Sequence, residues 1–419
     1  MTDEAIKAEV DVAKTSASTS GQVPAGFLVL LVALSGLGPM SMQAIMPALP
    51  ALAAYFREDI AVAQLTISLY LVGLACSQLV VGPLSDKFGR RPVILVGLSL
   101  MATANAAGIL AGTLHQVIAA RIVQALGAAS GLAVGRAMIR DLYDRDRAAS
   151  MIAVVVGAMM VAPMIGPFLG GILETAYGWR AVFWFLGAVS LCVLVWAWTA
   201  LPETRRVRSS PDAAGFFRDV RALSASPQYH GFVIAQALAA ATFFIFASGG
   251  AYVAVVQMGR SSAEYGAWFA LGSVAYMAGN LTAARLTPRL GSHRMIWIGL
   301  AMQIGGSVLN LICGLTGLSV NPAWFFGIQV IVSYGNGYCM PNLAAGAVSV
   351  RPQAAGTASG VMGFVQMGVG AIVSQLGAHL GGDYTTTVPL NIAGLILSLL
   401  CAAVVAVLVS PYERRRGRD

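Results

Sequence analysis

The chain has 419 residues, of which 57% are hydrophobic and 11% are charged. This composition excludes an ordinary soluble domain and predicts an integral membrane protein. The net charge of +8 does not require a nucleic-acid partner, because anionic lipid headgroups at the inner leaflet account for it.

Twelve largely apolar stretches of about 20 residues or more recur along the chain, and each can cross the hydrocarbon core as a helix. They are continuously apolar and lack the alternation of a barrel strand, which predicts an all-α membrane protein. The predicted spans, numbered one to twelve, are residues 25–47, 61–83, 93–112, 117–139, 149–173, 181–200, 231–256, 265–284, 295–317, 323–347, 355–380 and 387–409.

The spans divide six and six around a polar, arginine-rich segment. The predicted units are a tail over 1–24, a six-helix bundle over 25–201, a linker over 202–228, a second bundle over 229–409 and a tail over 410–419. Gly89 and Gly291 occupy similar positions between two spans of each half, as do 147–150 and 353–356. Such echoes predict two bundles related by an axis along the membrane normal, with a substrate site between them.

Most of the 26 lysines and arginines fall in the tails and in alternate loops on one side. Arg57, Arg180 and Arg260 are the basic residues of the other side. This imbalance predicts that both termini are cytoplasmic. Residues 1–24 lack the features of a secretory signal, so we expect them to form a cytoplasmic tail.

The five cysteines lie singly within spans, without a Cys-x-x-Cys pair, and are expected to be packing residues rather than disulfides or metal ligands. The four histidines are scattered, and no nucleophile-base or metal-ligand spacing is present. The sequence therefore predicts neither an enzyme nor a metal site.

The loop from Gly82 to Pro92 carries a concentrated set of charges and glycines between spans two and three. Gly82 would allow close approach of a neighbouring helix, and Gly89 a turn with positive φ. Asp86 can pair with Arg90 or with Arg91, or face a helix N-terminus. Anchoring of the bases at lipid headgroups explains part of this pattern but requires neither Asp86 nor the glycines. We therefore predict a gate formed by Gly82, Asp86, Gly89, Arg90 and Arg91.

Span four contains Arg121 several residues from its start. A cation there costs about 2.5 kcal/mol or more unless it meets a partner or water, which predicts that Arg121 faces the central cavity. Gln124, one turn further on, would share that face. The alternative is that Arg121 extends its guanidinium to the outer surface.

Span five has a face of small residues. It contains Gly157, Gly166, Pro167, Gly170 and Gly171, and the spacing of four between Gly166 and Gly170 permits close backbone contact with another helix. As a pattern by itself, this stripe indicates only helix packing.

Six segments together resemble one family. They are 82–92, 121–127, 135–143, 157–171, 201–204 and 355–360. They resemble the Bcr/CflA drug-resistance subfamily of the major facilitator superfamily, and 157–171 resembles the antiporter motif of its exporters. The resemblance implies a twelve-helix fold in the bacterial inner membrane and export of antibiotics such as bicyclomycin or chloramphenicol-type compounds. It also implies coupling to inward proton flow, with no bound cofactor.

The sequence departs from the family in span one, where Gln43 stands in place of the usual aspartate. Glutamine does not titrate. The remaining candidates for proton coupling are Asp141 and Glu174, at the ends of spans four and five. The alternatives are an acid at a span boundary that the sequence predicts poorly, or the absence of proton coupling.

The expected cavity lining combines aromatic and amide side chains, which suit uncharged or cationic amphipathic molecules. The candidates, besides Gln43, Arg121 and Gln124, are Phe243, Phe244, Tyr252, Tyr334, Asn336 and Gln366. Each of these could instead face lipid or the protein core.

Three functions are compatible with these patterns. An exporter of small amphipathic drugs, working as a monomer in lipid, is favoured by the span-five motif. An uptake permease for a small metabolite is equally compatible with the gate loop. A sensor or scaffold that has lost transport is the third, with Gln43 as its main support.

Overall fold

The structure is a computed structural model, and it describes residues 25–143, 145–159, 161–204, 213–382 and 385–411. Within these ranges all regular structure is helical. The predicted terminal tails and the first part of the linker lie outside the described residues, apart from the ends that border them.

In the described part of the chain, the first half consists of eight helices. Span one is α1 and α2 joined by the 3₁₀ turn Met46–Ala48, and span five is α6 and α7. The helices are α1 Ala25–Ala44, α2 Leu49–Phe56, α3 Ile60–Phe88, α4 Arg90–Leu110, α5 Leu114–Leu142, α6 Arg145–Met159, α7 Val161–Tyr177 and α8 Arg180–Ala200.

A short helix of the linker, α9 Ala213–Ser224, precedes the second half. The π-helical segments Val253–Gln257 and Val405–Val409 follow α10 and α15 directly. The helices of this half are α10 Pro227–Tyr252, α11 Ser262–Leu290, α12 Ser292–Leu315, α13 Pro322–Ser349, α14 Ala355–Gly382 and α15 Val388–Val404.

Each of the twelve predicted spans coincides with one of these helices or helix pairs. In the described part of the chain, ten helical segments are long and apolar enough to cross a membrane. The helices α11 and α13 are less apolar, yet their 29 and 28 residues exceed the length of about 20 that a crossing needs. Polar side chains such as Asn280 and Asn336 lower their hydropathy.

The two halves repeat the same local geometry. Gly89, between α3 and α4, has φ 103° and ψ 155°, and Gly291, between α11 and α12, has φ 81° and ψ 149°. Glycine adopts positive φ without the steric penalty of a Cβ, so both residues permit a sharp turn between long helices. Gly97 of α4 also lies against Gly127 of α5, as Gly299 of α12 lies against Gly335 of α13.

We call the end of the molecule where α3 meets α4 the basic end, and the other the opposite end. The halves pack against each other chiefly through α3 with α14 and through α7 with α11, and the described hydrogen bonds between them lie at the opposite end. Uncharged side chains and backbone groups make the hydrogen bonds there. They include Gln64 Nε2 to Ser374 Oγ at 2.5 Å, Ser68 Oγ to Gln375 Oε1 at 3.1 Å, Gln375 Nε2 to the Ala61 carbonyl at 2.6 Å, Ser262 Oγ to the Pro47 carbonyl at 2.8 Å and the Ala263 amide to Thr175 Oγ1 at 3.0 Å.

Candidate substrate cavity and charged cluster

A cavity of about 270 Å³ lies between the two halves. It is lined near the middle of α3, α5, α10 and α14, and also by α1, α7, α11 and α13. Both halves contribute, so any relative movement of the halves changes its shape and access. This is the position in which transporters built from two repeats bind substrate.

The two walls of the cavity differ in chemistry. The first half contributes no aromatic ring to the described lining, but small and aliphatic residues such as Gly38, Pro39 and Met42. The second half contributes the aromatic wall, which consists of Phe243, Phe244, Phe246, Trp268, Phe269, Tyr276 and Phe326. Its rings contact one another, as in the stacked pair Trp268 and Phe326 with centroids 6.0 Å apart. A flat apolar ligand would find its largest contact area on this side.

Amides supply much of the polarity of the cavity. Gln43 and Gln78 line it from the first half, and Gln329, Asn336 and Gln366 from the second. No Asp, Glu, Lys, Arg or His is among the lining residues that the structure describes. The cavity can therefore bind neutral hydrogen-bonding groups, but it offers no fixed charge to a ligand.

The orientation of Asn336 is fixed by neighbours behind the cavity wall. Its Nδ2 donates to Thr242 Oγ1 at 3.1 Å, and its Oδ1 accepts from Gln303 Nε2 at 2.6 Å. In contrast, the buried Oε1 of Gln43 has no hydrogen-bond partner among the described residues. Gln43 is thus a lining amide whose buried acceptor is unsatisfied in this conformation.

Five of the nine predicted cavity residues line the cavity, namely Gln43, Phe243, Phe244, Asn336 and Gln366. Tyr252 does not, because it is buried in the hydrophobic core near the opposite end. Tyr334 points elsewhere on α13, where its hydroxyl contacts Thr282 and Tyr338. Sequence reasoning missed the α11 wall, although Trp268, Gly272 and Tyr276 recur every four residues on this less apolar helix.

Arg121 and Gln124 also lie outside the cavity lining, contrary to expectation. The Arg121 side chain is fully buried, its guanidinium 4.1 Å from the centre of the Tyr70 ring. It donates to the carbonyls of Thr66 and Ser41, and to Gln124 Oε1. Carbonyl oxygens therefore take the place of the water that we expected to solvate this cation, and Arg121 does not reach the outer surface either.

The charged residues at the basic end form one group, which we call the charged cluster: Asp86, Arg90, Arg91, Asp141 and Glu203. Arg90 Nη1 lies 2.6 Å from Asp86 Oδ1, and its Nε donates to Asp141 Oδ2 at 3.0 Å. Of the two bases that Asp86 could contact, it pairs with Arg90. The cluster thereby connects α3, α4 and α5.

Glu203 completes the charged cluster from the segment after α8. Its carboxylate accepts from the backbone amides of Arg90 at 2.9 Å and Arg91 at 3.1 Å, at the first turn of α4. A carboxylate at a helix N-terminus satisfies free N–H groups and is attracted by the helix dipole. Glu203 was not a predicted site residue, although Leu201–Thr204 was among the family-like segments.

The charged cluster does not join the two halves. All five of its members belong to the first half, and among the described residues no ion pair crosses between the halves. The prediction that Gly82 allows close helix approach is wrong, because an added Cβ there would meet nothing within 4 Å. In this conformation the residues of the predicted gate connect helices within the first half and do not connect the two halves.

The small face of span five serves two contacts. Gly166 and Gly170 pack on α1, where a Cβ at Gly170 would overlap the backbone of Ala44. Gly171 lies against the Ser262 backbone of α11, and the Pro167 carbonyl lies against Gly266, so both reach the second half. Gly157 has open space around it. The stripe therefore builds part of the closed opposite end.

The two candidate coupling acids lie far from each other in the first half, and neither lines the cavity. Asp141 is at the basic end and is bound to Arg90. Glu174 is in the last turn of α7 near the opposite end, half-buried.

The family model described as "Major Facilitator Superfamily" matches residues 31–375. The chain belongs to the major facilitator superfamily. A bicyclomycin resistance protein homolog from Haemophilus influenzae is 26% identical to it, over 85% of this chain and 90% of the relative. A chloramphenicol resistance protein from Pseudomonas aeruginosa is 28% identical to it, over 90% of this chain and 91% of the relative. The multidrug resistance protein MdtL of Escherichia fergusonii is 30% identical, over 89% and 94%.

Solved structures agree with this assignment of the fold. A bacterial homolog of the human lysosomal transporter Spinster, in an inward-facing and unoccupied conformation, superposes with a TM-score of 0.71 at 18% identity, over 93% of this chain and 96% of the homolog. The xylose transporter XylE from E. coli superposes with a TM-score of 0.71 at 13% identity, over 91% of this chain and 96% of XylE. The predicted family and the twelve-helix fold of this superfamily are confirmed, and the protein is a multi-pass membrane protein.

Proposed function

We propose that this superfamily member exports small, uncharged, amphipathic compounds of the antibiotic class across the bacterial inner membrane. The observation that carries the proposal is the central cavity, which has an aromatic wall, five amides and no charged residue in its described lining. Such a cavity suits a flat molecule with a few neutral polar groups. Support for drugs as the substrate class comes from the relatives, whose names are those of bicyclomycin, chloramphenicol and multidrug resistance proteins.

Transport follows from relative movement of the halves. The hydrogen bonds between Gln64 and Ser374 and between Ser262 and Pro47 close the opposite end, while the ion pairs of the basic end stay within the first half. In this proposal the basic end and both termini are cytoplasmic, which the excess of basic residues on that side supports. In this proposal the carrier works as a monomer in lipid, and the conformation described here is the one closed toward the periplasm.

The direct test is drug tolerance. Overexpression in an E. coli strain lacking its main efflux pumps should raise the tolerated concentration of bicyclomycin, chloramphenicol or another uncharged amphipathic antibiotic in a panel. Efflux of the same compound from preloaded cells should be faster than in cells with empty vector. Faster accumulation would instead support the uptake permease, and no change in either direction would support a protein without transport.

The aromatic wall gives the first mutational prediction. Trp268→Ala removes a ring that lines the cavity and stacks on Phe326, so we expect the KM for an aromatic substrate to rise about tenfold with little change in Vmax. The matched control is Trp324→Ala, since Trp324 is 51% exposed on the surface of α13. Efflux kinetics in proteoliposomes measure both. Equal effects of the two substitutions would contradict binding at this wall.

Proton coupling is part of the proposal, with Glu174 as the acid. Glu174 is half-buried, and its carboxylate has no partner within the described ranges, whereas Asp141 is held by Arg90. Glu174→Gln should therefore abolish the acceleration of efflux by an imposed pH gradient while leaving exchange without a gradient intact. Asp141→Asn should slow both modes together. If both variants respond to the gradient as the wild type does, neither acid couples transport to protons.

A further inference from the structure

The helix α1 ends at Ala44, part of the way along span one, before the 3₁₀ turn Met46–Ala48. Its last residues are those that meet the cavity, because Gly38, Pro39, Met42 and Gln43 are all in the lining. The carbonyl groups of the last four residues of a helix, here 41–44, lack helical partners and need other donors. The geometry of this helix end therefore decides where Gln43 lies in the cavity.

Two buried side chains bind the carbonyls of this segment. The Tyr70 hydroxyl of α3 donates to the Gly38 carbonyl at 2.9 Å, and Arg121 Nη1 of α5 donates to the Ser41 carbonyl at 3.1 Å. The guanidinium lies 4.1 Å from the centre of the Tyr70 ring, so the two side chains support each other by a cation–π contact. Neither side chain is exposed.

Among the described residues no carboxylate pairs with Arg121; its Nε and Nη1 donate to oxygen atoms, and its Nη2 has no hydrogen-bond partner. The C-terminal end of a helix carries a partial negative charge, and the guanidinium lies at the C-terminal end of α1. Arg121 Nε also donates to the Thr66 carbonyl at 3.3 Å, which ties α1 and α3 to α5. Lysine could not reproduce this arrangement, because an ammonium lacks the planar set of donors.

We propose that Tyr70 and Arg121 are positioning residues that hold the end of α1 and so set the orientation of Gln43 in the substrate cavity. The two residues act through α1 and do not contact the ligand, since neither lines the cavity. The inference rests on the cavity named in the proposed function. The inference also explains why span four contains the buried Arg121, although Arg121 does not line the cavity.

Arg136 shows what an arginine of the same helix does without this role. Its Nε donates to the Leu132 carbonyl, one turn back in α5 itself, at 3.1 Å. It makes no hydrogen bond to α1 among the described residues. Arg136→Lys is therefore the matched control for Arg121→Lys.

The test measures the accessibility of position 43 and needs no transported substrate. In the full chain with its five cysteines replaced by serine or alanine, Gln43→Cys and, separately, Gln366→Cys report on the cavity from α1 and from α14. A small water-soluble maleimide is the probe, and the purified protein in detergent is followed by size-exclusion chromatography to confirm that it is folded.

We expect Arg121→Lys to raise the labelling rate at position 43 at least about tenfold, because it loses charged hydrogen bonds to buried carbonyls. Tyr70→Phe keeps the ring and loses one neutral hydrogen bond, so about fivefold is expected. Arg136→Lys should change neither site, and position 366 should stay within about twofold in every background.

Unchanged labelling at position 43 in both Arg121→Lys and Tyr70→Phe would overturn the proposal. A parallel rise at positions 43 and 366 would overturn it as well, because it would indicate general loosening rather than control of α1. If Arg121→Lys does not fold, Tyr70→Phe decides alone. A protein that transports no drug could still pass this test, so its outcome is separate from that of the proposed function.

Discussion

Replacing Gly171 with alanine is expected to lower transport at least tenfold. A Cβ at this position would overlap the backbone of Ser262 in the other half, and backbone atoms cannot move aside as a flexible side chain can. Overpacking of this kind typically costs about 1–3 kcal/mol, which here falls on the closed opposite end alone. The carrier would then remain open at that end and complete few cycles. Efflux from proteoliposomes at fixed protein content measures the loss.

The control is Gly157→Ala in the same span. An added Cβ at Gly157 meets nothing within 4 Å, so this variant should transport at the wild-type rate. Cysteines at positions 64 and 374, whose native side chains are hydrogen-bonded, report on closure directly. Their crosslinking by a short reagent should slow in Gly171→Ala and not in Gly157→Ala. Equal transport by both glycine variants would mean that this contact does not limit the cycle.

Neutralising Arg90 is expected to cause the largest loss of stability at the basic end. Arg90→Gln removes both ion pairs of a side chain that is only 12% exposed and leaves the carboxylates of Asp86 and Asp141 close together. Breaking a partly buried pair in this way should cost about 2 kcal/mol or more. The midpoint of thermal unfolding in detergent should fall, and transport should fall with it.

The two acids of the cluster should differ in the same assay. Asp141 is 21% exposed and Asp86 is 42% exposed, and exposed pairs contribute less because water screens them. Asp141→Asn should therefore be more destabilising than Asp86→Asn. Arg289→Gln is the control from the second half, since Arg289 is exposed near the turn at Gly291 and should change stability by less than about 0.5 kcal/mol. An effect of Arg289→Gln as large as that of Arg90→Gln would contradict a specific role for the cluster.

The helices could be predicted from the sequence because a membrane crossing needs a long apolar run, which is a property of contiguous residues. The turn at Gly89 could be predicted for a similar reason, since a glycine among charges between two such runs indicates a sharp turn. The pairing of Asp86 with Arg90 follows from a spacing of four residues. Asp141 and Glu203 are 51 and 113 residues from Arg90, and no local pattern connects them.

Which side of each helix faces the cavity, the protein core or lipid could not be predicted in the same way. In a soluble helix the apolar stripe marks the inward face, but spans such as α10 are apolar all round and carry no such mark. This is why Arg121 was assigned to the cavity although it binds the end of α1, and why Trp268 and Phe326 were missed. The recurrence of Trp268, Gly272 and Tyr276 every four positions on the less apolar α11 was the usable signal.

The uncharged lining of the cavity has an energetic consequence for the whole cycle. Each elementary charge moved through a potential of 100 mV exchanges about 2.3 kcal/mol with the field. A neutral passenger in a neutral binding site exchanges none, whichever way the halves are tilted. The membrane voltage can therefore do electrical work only on an ion that accompanies the passenger, and the stoichiometry of that ion alone sets how strongly export responds to polarisation.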